Sequence, residues 1–140
     1  MKAFEAIPTL NRLFAVLCRS LPAYLASAEP WARSDRPRAR AALDHLMADQ
    51  QMYAQRVAEA IIEHGGRPNP GPFPPEFAAK NDLSIEFLLP EVIEYQEQDA
   101  LAIERCAVAL EGDPALHALA EEILGNIKGH LDLLKELLND

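Results

Sequence analysis

Cysteine is nearly absent: two in 140 residues, Cys18 and Cys106. That is too few for a disulfide framework, and neither sits in a Cys-x-x-Cys pattern. Tryptophan occurs once and aromatic residues make up only 6%. Basic residues are outnumbered by acidic ones, 13 to 22, giving a net charge of −9. Such a chain is repelled by nucleic acid, which excludes it as a partner class. No apolar run approaches the ~20 residues of a membrane span, so no membrane partner is expected. The run Leu13-Phe-Ala-Val-Leu-Cys18 is shorter than the core of a signal peptide, and Glu5, Arg12 and Arg19 interrupt its surroundings. These features predict a cytoplasmic protein with reduced thiols. No segment alternates with strand period, and no glycine-rich phosphate loop, zinc spacing or Ser/His/Asp arrangement is present.

What is present is apolar spacing of three and four residues. With 49% apolar and 25% charged residues, residues 1–140 read as one helical domain. Leu10, Phe14, Leu17, Leu21, Tyr24 and Ala28 predict a first helix over 5–28, bent or interrupted by Pro22. Ser34 or Asp35 caps a second helix with Pro37 in its first turn. Its seam is Ala39, Leu43, Leu46, Gln50, Tyr53, Val57, Ala60 and His64, closed by Gly65-Gly66. A third helix spans about Leu83 to Leu110, with Pro90 as a kink or late start. Gly112-Asp113-Pro114 stops it and starts a fourth, with Gly as C-cap and Asp as N-cap. That helix carries Leu116, Ala120, Ile123, Ile127, His130, Leu134 and Leu137 on one face.

Between the second and third helices lies Arg67-Pro-Asn-Pro-Gly-Pro-Phe-Pro-Pro75, which reads as a stiff extended connection. A 28-residue helix is about 42 Å long. Residues 65–82 reach at most about 59 Å, enough to carry the chain back along the whole bundle. Short, long, short connections separate a bundle with one crossover from a simple up-down-up-down one.

Two segments bear a family likeness. Asn126-Ile-Lys-Gly-His-Leu-Asp-Leu-Leu134 resembles the last-helix signature of bacterioferritins, Glu-x-x-His with an acidic-aliphatic tail. Gln50-Gln-Met-Tyr-Ala54, running to Ile62-Glu-His-Gly-Gly-Arg-Pro68, resembles their Glu-x-x-His-Ala segment before a glycine and proline turn. The likeness, to the bacterioferritins and rubrerythrins of the ferritin-like superfamily, spans residues 7–138. It implies an all-α, ferritin-like four-helix bundle with a long Pro-rich crossover, a homodimer through the first two helices, and a di-iron centre built on two Glu and two Glu-x-x-His motifs. Neither motif is intact here. Carried over by position, the ligands fall on Leu17, Gln50, Tyr53, Ile127 and His130. In the third helix they fall on Ile93 with Gln96, or on Glu94 in the bacterioferritin register. Helical phase favours the former, because Leu89, Ile93, Gln96, Ala100, Ile103 and Ala107 lie within about 40° of one line and Glu94 lies about 140° away. The haem-binding Met of bacterioferritin falls on Gln51, one residue before Met52, so haem is not implied.

Carboxylates are needed to neutralise a pair of iron ions, and these positions supply none. The expectation is a buried polar cluster of Gln50, Tyr53, Gln96 and His130 that satisfies itself by hydrogen bonds, with no cofactor. The implied function is a ferritin-like protein that has lost its di-iron centre and serves a structural, regulatory or small-ligand-binding role. The alternative is a remodelled iron or manganese oxidoreductase, or ferroxidase, using His130 with shifted acids Asp49, Glu94 or Asp99; Asp99 lies about 80° from the third-helix line. Arg33, Arg36, Arg38 and Arg40 cluster at the start of the second helix as a solvated turn, a salt-bridged subunit contact or an anion site. Trp31 and Phe77 flank the connections and are placed to seal an interface or pocket. Cys18 and Cys106 read as small hydrophobes without clustered basic neighbours.

Overall fold

The computed structural model describes residues 3–28, 37–80 and 83–139. Five helices account for most of them: α1 (Ala3–Cys18), α2 (Leu21–Ala28), α3 (Pro37–Glu63), α4 (Ile85–Ala109) and α5 (Pro114–Leu138). One 3-10 helix spans Pro75–Lys80. Among the described residues there is no strand, and no helix is long and apolar enough to cross a membrane.

The first predicted helix is two. The chain breaks at Arg19-Ser20, and Ser20 restarts it: the backbone N–H of Ala23 donates to Ser20 Oγ at 3.1 Å, and that of Tyr24 to Ser20 O at 3.0 Å. Pro22 then sits in the first turn of α2, where its missing N–H breaks no helical bond. The helix α3 begins at Pro37; the predicted caps Ser34 and Asp35 lie outside the described residues. Its other end closes as expected at glycine. Gly65 takes φ +88°, its N–H donates to Ile62 O at 3.0 Å, and the N–H of Gly66 donates to Ile61 O at 2.9 Å. This is the paired bonding of a left-handed helix stop.

The helix α4 runs through Pro90, which excludes the late start; it is capped by Ser84, whose side chain accepts from the Phe87 N–H. One local expectation is corrected: α4 ends on Leu110 rather than on a left-handed Gly112. Asp113 does cap α5, accepting from the Leu116 N–H at 3.2 Å, with Pro114 in the first turn.

Neighbouring helices form a closed ring, α1 with α3, α3 with α5, α5 with α4, and α4 with α1. Ile7 reaches Gly66 while Ser20 reaches Gln50, so α1 and α3 are antiparallel. Asp49 meets His130 while Arg56 meets Glu122, so α3 and α5 are antiparallel. His117 meets Ala107 while Lys135 meets Glu97, which makes α5 and α4 antiparallel. Hence α3 and α4 run parallel on the diagonal, the arrangement that requires a crossover as long as the bundle.

That crossover is pinned along its length. Asn11 of α1 donates through Nδ2 to Arg67 O (3.1 Å) and accepts from the Asn69 N–H (2.8 Å). Further on, Phe73 and Phe77 meet Tyr24 with ring centroids 5.2 and 5.7 Å apart, and Phe77 meets Tyr95 at 5.2 Å. The stretch is free of helix only to Pro74, and Gly71 turns within it at φ +72°. Pro75 opens the 3-10 helix, which turns Phe77 into the core. Trp31 lies outside the described residues.

Candidate functional site

The expected α3 seam is buried from Ala39 to Ala60, including Gln50 and Tyr53. On α4, Leu89, Ile93, Gln96, Ala100, Ile103 and Ala107 are all buried, while Glu94 is exposed. Gln50 is 4% exposed and Gln96 0%. An amide this far from water must find partners in the protein. The Ser20 hydroxyl donates to Gln50 Oε1 at 2.7 Å. Gln50 Nε2 donates to Gln96 Oε1 at 2.6 Å, and Gln96 Nε2 donates to Asp99 Oδ2 at 2.6 Å. Every donor points the same way, so the bonds polarise one another toward the carboxylate. Burial pushes the Asp99 carboxyl up to about 7, against the opposing hydrogen bond from Gln96. Both ends of this chain, Ser20 and Asp99, line one cavity of ≈ 220 Å³ under Phe77 and Tyr95.

The other two members of the expected cluster go elsewhere. Tyr53 donates its hydroxyl to Glu122 Oε2 at 2.8 Å, where Arg56 Nη1 also donates at 2.6 Å. Those two bonds, that of Arg56 foremost, hold the Glu122 carboxyl below its usual range, while burial and then Glu122 push the Tyr53 phenol up. His130 Nε2 lies 2.7 Å from Asp49 Oδ2, which also accepts from Asn126 Nδ2 at 2.9 Å. Bonds from Asn126 and then His130 lower the Asp49 carboxyl. A single four-membered cluster is thus corrected to three separate groups. Glu122, Asn126 and His130 recur every four residues on α5, facing Asp49, Tyr53 and Arg56 on α3. A phenol or imidazole gains more from a carboxylate within reach than from a neutral amide.

The alternative ligand set does not assemble either. His130 and Asp49 are paired, but Asp99 belongs to the Gln96 chain. Glu94 lines a cleft of ≈ 330 Å³ with Glu76, Lys80 and Glu91. Among the described residues, no three His, Cys, Asp or Glu side chains converge. The positions matched to di-iron ligands hold three aliphatic residues, two amides already bonded to each other, a phenol and one imidazole. That donor set does not fit a pair of iron ions, because it offers no negative charge at the centre.

Of the arginine cluster, Arg33 and Arg36 lie outside the described residues. Arg38 is exposed, and Arg40 Nε pairs with Asp44 at 3.4 Å one turn along the same helix. Cys106 is buried as expected, and burial raises its thiol, against the nearby Arg12 guanidinium, which lowers it.

Sequence reasoning missed Ser20, Asn126 and Glu122. Ser20 precedes Leu21-Pro22, a pattern that marks a helix start. Asn126 and Glu122 stand four and eight residues before His130, on its face of α5. The chain matches no family model, no curated protein and no solved structure.

Proposed function

We propose that this protein is a ferritin-like bundle in which fixed hydrogen bonds have replaced di-iron chemistry, and that it serves as a non-catalytic binder of a small ligand. The single crossover between parallel α3 and α4 supports the ferritin-like reading. The observation that carries the loss of iron chemistry is the Gln50–Gln96 bond at the bundle centre. It consumes the amide groups that stand where two ligands belong, and it brings no charge. Cavities along the α1–α4 seam supply room for a ligand. Purified protein mixed with ferrous iron in air tests this reading. Ferric absorbance should rise no faster than in a buffer blank. Oxidation well above the blank, abolished by His130→Ala, overturns it.

One observation favours a second reading. The Asp49–His130 pair, steadied by Asn126, is a carboxylate–imidazole couple of the kind that orients a metal-binding histidine. A remodelled iron or manganese oxidoreductase would be built there, and the same assay decides between the two.

A further inference from the structure

Between α1 and α4 lies a cleft of ≈ 450 Å³, within the range of small-molecule sites. Its walls are two helical stripes. Arg12, Ala15 and Val16 of α1 recur at i, i+3 and i+4, with Arg19 just past its end; Ala102, Arg105 and Cys106 of α4 recur at i, i+3 and i+4. Three arginines therefore edge an apolar floor, and among the described residues no carboxylate lines it. This is against the charge of the whole chain, −9. Residues 71–140 hold only four basic residues against 15 acidic ones, and Arg105 is one of the four.

The guanidiniums are placed but, among the described residues, not neutralised. Arg12 Nη2 donates to Thr9 Oγ1 at 3.0 Å, and its charge lowers the Cys106 thiol beside it. Arg19 lies against Gly71, which takes φ +72°. A Cβ there would stand 3.3 Å from Arg19 Nη1, so the crossover leaves this side chain its room. Among the described residues none of the three arginines has a carboxylate within ion-pair distance. Like charges gathered around one cleft repel, and a bound anion relieves that repulsion. The planar fork of Arg is suited to a carboxylate or phosphate head. The floor of Ala15, Val16 and Ala102 is suited to an apolar body.

We propose that this cleft binds a small amphipathic organic anion, its oxyanion head on Arg19 and Arg105 and its aliphatic or aromatic body on the apolar floor. The inference rests on the ligand-binding half of the function proposed above and names the ligand class.

Calorimetric titration of the full chain tests it with four probes: octanoate, octyl phosphate, neutral octanamide and inorganic phosphate. Saturable one-to-one binding of octanoate or octyl phosphate is expected, and whichever binds tighter names the head group. Arg19→Gln with Arg105→Gln should weaken it by at least ~10-fold. Lys128→Gln, on an exposed site of α5, should not. These arginines are exposed, so unchanged circular dichroism should accompany the loss. Failure of both octyl anions to bind overturns the proposal, as does binding that the double variant retains. Octanamide binding as tightly as octanoate removes the role of the arginines. Inorganic phosphate binding as tightly as octyl phosphate removes the role of the floor. The iron assay reads the bundle centre and this titration the α1–α4 cleft. Iron oxidation with octanoate binding overturns the loss of iron chemistry alone; neither reaction overturns the ligand alone.

Discussion

Gln50 on α3 and Gln96 on α4 are joined Nε2 to Oε1 at 2.6 Å, across the diagonal of a ring whose main contacts are between adjacent helices. Two parallel helices separated by a crossover are thereby tied at the centre by one neutral bond. Cutting it on one side strands a buried amide. Gln50→Leu or Gln96→Leu should each cost about 1–3 kcal/mol, read from the shift of a urea midpoint. The double variant should cost less than the sum of the two, because no amide is then left unpaired. Strict additivity would mean that the bond contributes nothing specific.

Asp99 gives the bundle a pH dependence of unusual sign. Its folded value of about 7 stands above the ~3.9 of an unfolded chain. Between those values the folded state keeps a proton the unfolded state has released, so stability falls as pH rises from about 4 to 7. Asp99→Asn keeps an acceptor for Gln96 Nε2 and removes the ionisation. The variant should match the native protein near pH 4 and exceed it by about 4 kcal/mol at pH 8, since about three pH units separate the two values at ~1.4 kcal/mol each. A gain that does not grow with pH contradicts the burial of this carboxyl.

Asp49 behaves in the opposite sense. Its carboxyl is lowered by Asn126 and His130, so its contribution is present above the unfolded value and disappears as pH falls through the folded one. The side chain is 37% exposed, and solvent screening limits the effect. Asp49→Asn should cost no more than about 1 kcal/mol at pH 7 and nothing near pH 2, followed by thermal melts across that range.

Tyr53→Phe removes a hydroxyl whose partner, Glu122, is exposed and keeps Arg56. Nothing buried is stranded, so the loss should stay below about 1 kcal/mol. A loss of 3 kcal/mol would return Tyr53 to the central network.

Periodicity located the amides because Gln50 and Gln96 share the phase of Leu46 and Ile93, and polar residues in an apolar stripe stand out. It located them by face, not by partner. Tyr53 and His130 share those stripes, yet each turns toward the α3–α5 seam, where Glu122 and Asp49 are within reach; a one-dimensional phase does not contain that choice. Ser20 is hidden when 5–28 is read as one helix, because a continuous helix has no start there for it to cap. Asp99 looked like the flank of α4 because phase alone does not show that α1 and Phe77 cover that flank. The arginine cleft was invisible for a simpler reason: Arg12, Arg19 and Arg105 are far apart in sequence and meet only when α1 packs on α4.

The central claim is that the middle of this bundle is too neutral for a pair of transition ions. Crystals grown with excess ferrous or manganous ion, scanned for anomalous scattering at the iron and manganese edges, test it most directly. The account predicts no anomalous peak between Gln50, Gln96 and His130. Two peaks there, coordinated by carboxylate oxygens from several helices, would contradict it.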